Sequence, residues 1–112
     1  MREVELKIKV RLDEDNLPGE ITWQSQDPPS NGKELEAKAF FLSIFDKETL
    51  ETLKIDLWVK KFEIGEMNRM TYYTLKSLAD SYYKATNNTS LANDFGRFTQ
   101  YFGEETGLLK KP

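Results

Sequence analysis

Two neighbouring segments, Ala39–Phe45 and Leu50–Val59, carry large apolar side chains at both odd and even positions. Successive side chains of a β-strand point to opposite faces, so a strand with one wet face alternates apolar and polar residues. These two do not alternate. Any fold that uses them as a hairpin around Asp46-Lys47-Glu48-Thr49 must cover apolar surface on both sides of it.

A register follows from the shortest turn. With a two-residue loop at Lys47 and Glu48, Phe40 lies opposite Ile55, Leu42 opposite Leu53 and Phe41 opposite Lys54. Directly opposed residues share a face. One face then holds Phe40, Leu42, Ile44, Leu53, Ile55 and Leu57, a credible core surface turned toward helices. The other holds Phe41, Ser43, Phe45, Leu50, Lys54, Asp56 and Trp58. Adjacent aromatic rings left in water usually mark a partner surface. The candidate protein-interaction face is therefore Phe41, Phe45 and Trp58, with Lys54 and Asp56 supplying polar specificity. Two arrangements would remove it: the long loop Ser25–Lys33 folding across the rings, or a different turn length.

The rest of the chain supplies the frame. Val4, Leu6, Ile8, Val10 and Leu12 alternate with Glu5, Lys7, Lys9 and Arg11, the period of a half-buried strand. The turn formers from Asp13 to Gly19 follow, and Ile21 and Trp23 mark a second strand from Glu20 to about Gln24. Ser25–Lys33, with two prolines and Gly32, is a surface loop, and Glu34–Lys38 is a lead-in or a short helical turn. The period then changes. Met67, Thr71, Leu75, Leu78, Ala79 and Tyr82 form the stripe of a helix over 66–85, and Leu91, Phe95, Phe98 and Phe102 that of a second over 90–106. Gly96 in the second helix suggests a close backbone approach. The expectation is one α+β domain over 1–112, with a four-stranded antiparallel sheet over 3–60 and two C-terminal helices packed on one face (ββββαα).

Composition removes most chemistry. With no histidine and no cysteine, the usual acid/base switch, nucleophiles and metal ligands are missing. Asp13, Glu14 and Asp15 lack the glycine and distal glutamate of a calcium loop. Asp46, Glu48, Glu51 and Asp56 are not joined to any recognisable pocket, and the hydroxyl residues have no base at a useful spacing. Tyr72, Tyr73, Tyr82, Tyr83 and Tyr101 could suggest an aromatic ligand box, but at these helical spacings Tyr72 and Tyr82 read as core-edge rings with wet hydroxyls. No catalytic, cofactor-binding or metal residue is assigned, and an enzyme is not expected. The net charge of −3, with 16 basic residues interspersed among 19 acidic ones, leaves no footprint for nucleic acid. The opening Met-Arg-Glu has no roughly 7–15-residue apolar stretch of the signal-peptide kind. Ala39–Phe45 spans about a third of what a membrane helix needs. The expectation is a cytoplasmic protein without membrane insertion, working with a protein partner or as a homo-oligomer.

The segments Glu51-Thr-Leu-Lys-Ile-Asp-Leu-Trp-Val-Lys60, Ala79-Asp-Ser-Tyr-Tyr-Lys-Ala-Thr86 and Phe98-Thr-Gln-Tyr-Phe-Gly-Glu-Glu105 make the chain resemble the GldC family of gliding-motility proteins. The most specific part is Ile55-Asp56-Leu57-Trp58, followed by Glu66-Met67 at a helix start. The linker Lys61–Gly65 departs from the acidic, Met-bearing version of the family. The resemblance implies a small cytoplasmic accessory protein of gliding and its associated secretion machinery, and it brings no catalytic residues. Four strands followed by two helices also look like the export chaperone SecB, a likeness of architecture alone, which would imply a holdase for unfolded chains. A small-ligand carrier or carboxylate-based enzyme is the remaining alternative, and needs an apolar pocket with converging carboxylates.

Overall fold

The computed structural model describes all of residues 1–112, which form two compact units, Met1–Phe62 and Glu63–Pro112. The first is all β: β1 (Leu6–Leu12), β2 (Pro18–Ser25), β3 (Leu35–Ala37), β4 (Ala39–Phe45) and β5 (Thr52–Trp58). The second is a pair of helices, α1 (Ile64–Thr86) and α2 (Thr89–Glu105). The α+β class and the antiparallel pairing agree with the sequence, but the single four-stranded sheet does not. There is a three-stranded sheet, β1-β2-β3, and a separate two-stranded one, β4-β5.

In the first sheet the alternation of β1 decides the faces. Ile8 pairs with Trp23 and Val10 with Ile21, while Trp23 and Ile21 pair onward with Leu35 and Ala37. Those side chains share one face, centred on Ile21, which is 1% exposed. On the opposite face Lys9 pairs with Thr22. The Thr22 hydroxyl donates to Glu34 Oε1 at 2.7 Å, and Lys9 Nζ stands 3.4 Å from the same oxygen. The Thr22 hydrogen bond, reinforced by Lys9, lowers the Glu34 pKa below the ordinary glutamate value. Through these contacts the lead-in before Leu35 is tied to β1 and β2, and a third strand forms where a lead-in or helical turn was expected.

The two long connections of this unit are organised by single side chains. Asp13 Oδ1 accepts from the amides of Asp15 (2.8 Å) and Leu17 (3.0 Å), so its carboxylate is spent on the turn. Asn16 takes the left-handed conformation there (φ 60°). In the loop Ser25–Lys33, Ser30 is fully buried; its hydroxyl donates to the Lys33 carbonyl and accepts from the Ser25 amide at 3.1 Å.

Lys38 is the corner between the two sheets: β3 ends before it, β4 starts after it, and its carbonyl accepts from Val59 N at 2.8 Å.

In the helical unit the Glu66 carboxylate accepts from the Glu63 amide at 3.0 Å at the start of α1. Asn87, in the left-handed region, ends α1 by donating its amide to the Tyr83 carbonyl, and Asn88 Oδ1 caps α2 by accepting from Leu91 N at 3.0 Å. The helices meet through Tyr82 and Phe95, ring centroids 5.7 Å apart. The close approach expected at Gly96 is absent, since a Cβ there would meet open space. It occurs instead at Gly103, where a Cβ would lie 2.6 Å from Leu109 Cδ1 and 2.9 Å from Tyr72 Cε1. Leu109 arrives there because the tail turns at Gly107 (φ 79°) and Leu109 N donates to Gly103 O at 2.9 Å.

Candidate functional site

The β4–β5 hairpin carries the site. Its turn is longer than the two residues assumed from sequence. Asp46 N donates to Glu51 O at 2.9 Å, Leu50 N donates to Asp46 O at 3.0 Å, and residues 47–50 form the loop. Asp46 Oδ2 accepts from the amides of Glu48 (3.0 Å) and Thr49 (2.7 Å), and Leu50 adopts φ 61°. The amide bonds, Thr49 first, hold the Asp46 pKa below the ordinary aspartate value.

The longer loop moves the register by two residues. Phe40 lies opposite Leu57, Phe41 opposite Asp56, Leu42 opposite Ile55, Ser43 opposite Lys54 and Ile44 opposite Leu53. The expected pairs Phe40–Ile55, Leu42–Leu53 and Phe41–Lys54 are therefore replaced. A shift of two preserves which face each strand residue occupies. Phe41, Phe45, Lys54, Asp56 and Trp58 do share one face, together with Ala39, Ser43 and Thr52. Leu50 leaves that face for the loop.

The five candidates are not equivalent. Phe45 is 65% exposed and Trp58 is 49% exposed, at opposite ends of the face. Phe41, between them, is half-buried rather than exposed as expected, and Lys54 Nζ sits 5.5 Å from its ring centroid. The same ammonium is 2.6 Å from Asp56 Oδ1. Two exposed rings thus flank a centre where an ion pair covers the third. The loop Ser25–Lys33 does not shield Phe45 or Trp58, as their exposure demonstrates.

On the opposite face, which the sequence assigns to the core, Leu53 is 54%, Ile44 47% and Ile55 38% exposed. Near Trp58, Leu17 and Pro18 form a groove of about 400 Å³ with Asp56, Leu57 and Lys60.

The helical unit carries a groove of about 440 Å³, with Tyr72, Lys76, Asp80, Tyr83 and Gln100 among its lining. Asp80 is its one carboxylate, so two carboxylates do not converge there. No group of three or more histidine, cysteine, aspartate or glutamate side chains is arranged to hold a metal. No helix is long and apolar enough to cross a membrane.

A chain with two helices, antiparallel sheets and exposed apolar residues on a two-stranded hairpin is an α+β protein. Residues 18–108 match the family described as Gliding motility-associated protein GldC-like, and the chain belongs to that family. The matched span includes Ile55-Asp56-Leu57-Trp58 and both helices. Comparisons with curated proteins and with solved structures returned no match, so the architectural likeness to SecB gains no support from them.

Proposed function

We propose that this protein is a non-enzymatic cytoplasmic accessory factor of gliding motility that acts by protein–protein association through the β4–β5 hairpin. Membership of the GldC-like family supports the process. One observation carries the mode of action: Phe45 and Trp58 stand exposed on a face they share with Phe41, Lys54 and Asp56. A two-stranded hairpin is marginal in water by itself, and large exposed apolar residues on both of its faces favour a covering partner. Lys54 and Asp56, between the rings, give that partner a charge pattern to match.

The test replaces the exposed rings, Phe45→Ser with Trp58→Gln, and compares the molar mass by light scattering with that of the parent chain. Unchanged circular dichroism with a lower mass is the expected result. An assembly that persists with both rings gone contradicts the reading. Suppression of aggregation of an unrelated denatured protein, retained by the parent and lost in the variant, would instead identify the face as a holdase surface.

A further inference from the structure

We propose that the occupant of the β5 edge is a second copy of this chain, paired antiparallel with β5 about a twofold axis at Ile55. This goes beyond the association reading above, because it concerns the outer edge of the same hairpin rather than the face that carries Phe45 and Trp58.

Three observations carry it. First, the edge is unpaired: β5 bonds only to β4, and every residue of Thr52–Trp58 except Leu57 is exposed, with Leu17 and Pro18 bordering its Asp56–Trp58 end. Second, the backbone groups along that edge are known from the ladder. Val59 N bonds to Lys38 O, and Asp46 N bonds to Glu51 O. In this register odd residues of the second strand therefore direct their amides and carbonyls to β4, and Thr52, Lys54, Asp56 and Trp58 direct theirs outward. An antiparallel partner must match outward residues with outward residues.

Third, only one central register also satisfies the side chains. An axis at Lys54 or at Asp56 sets like charges directly opposite, which is destabilising. An axis at Ile55 sets Lys54 opposite the second copy's Asp56 and the reverse, Leu53 opposite Leu57, Ile55 opposite itself, and Thr52 opposite Trp58. The strand Thr-Leu-Lys-Ile-Asp-Leu-Trp is self-complementary about its centre. The result is a continuous sheet of four strands, β4-β5-β5-β4, with isologous contacts.

The test uses two single variants, Lys54→Glu and Asp56→Lys, measured alone and mixed. Alone, each variant sets like charges opposite in its own pair, and dimerisation weakens about tenfold or more. Mixed, the two variants are complementary across the axis, and native mass spectrometry with one variant isotopically labelled detects a mixed dimer in preference to either homodimer. Within each chain residues 54 and 56 remain like-charged, so rescue on mixing comes only from contacts between chains. A second readout is amide exchange of the parent chain: protection at Lys54 and Asp56 rises with protein concentration. Dimers that form equally well in all samples, or edge amides whose protection ignores concentration, overturn the register while leaving association through the ring face standing. A parent chain that is monomeric at high micromolar concentration overturns the second copy as occupant.

Discussion

Phe41 lies directly opposite Asp56 in the β4–β5 ladder, two residues away from the Lys54 partner that a short turn would give it. Lys54 reaches the same ring diagonally, 5.5 Å from its centroid, and bonds Asp56 at 2.6 Å. The centre of the face is therefore polar and self-neutralised, and its ends are aromatic.

Lys54→Ala uncovers Phe41 and leaves Asp56 without its partner. The pair is partly solvent-exposed, so the cost to folding is small, about 1 kcal/mol. Urea denaturation of the variant beside the parent checks this.

Leu50 is an exposed leucine in the left-handed region at φ 61°. A side chain there costs roughly 1–2 kcal/mol that glycine avoids, partly offset by the greater freedom of glycine in the unfolded chain. Leu50→Gly is expected to raise the urea midpoint slightly. A lowered midpoint would mean that the Leu50 side chain contributes contacts outweighing its backbone strain.

Asp46 binds two loop amides as a carboxylate, Thr49 contributing most to its lowered pKa. A depressed folded value means that its stabilisation is complete above the unfolded aspartate range, near about pH 4, and is lost as pH falls through the folded value. Thermal midpoints of the parent should drop over this acid window more steeply than those of Asp46→Asn. Parallel pH profiles would contradict the role assigned to the carboxylate.

Gly103 admits no side chain without moving Leu109 and Tyr72. Gly103→Ala is expected to destabilise the helical unit by about 1–3 kcal/mol, the usual cost of overpacking, despite the higher helix propensity of alanine. Gly96→Ala, facing open space, should stabilise instead by up to about 1 kcal/mol. Denaturation curves of the two variants therefore move in opposite directions.

The legible part of this fold was whatever depends on local period. The alternation of β1 and the stripes of both helices placed those elements within a few residues of their observed bounds. The segregation of Phe41, Phe45, Lys54, Asp56 and Trp58 onto one face survived a wrong turn length because the error was an even number of residues. The turn itself was not legible. Its length depends on Asp46 capping two amides and on a leucine accepting positive φ, for which the sequence offers only the Asp-to-Thr spacing as a signal. β3 has three residues, too short to display a period, and its formation depends on Glu34 meeting Thr22 and Lys9. The choice between Gly96 and Gly103 rests on where the tail returns, a contact that no local pattern encodes.

Sedimentation velocity of the parent chain and of the Phe45→Ser, Trp58→Gln variant over a concentration series tests the association surface most directly. The parent is expected to sediment as an assembly, and the variant, with native circular dichroism, as a smaller species at the same concentration. Identical sedimentation of the two proteins at every concentration would contradict it.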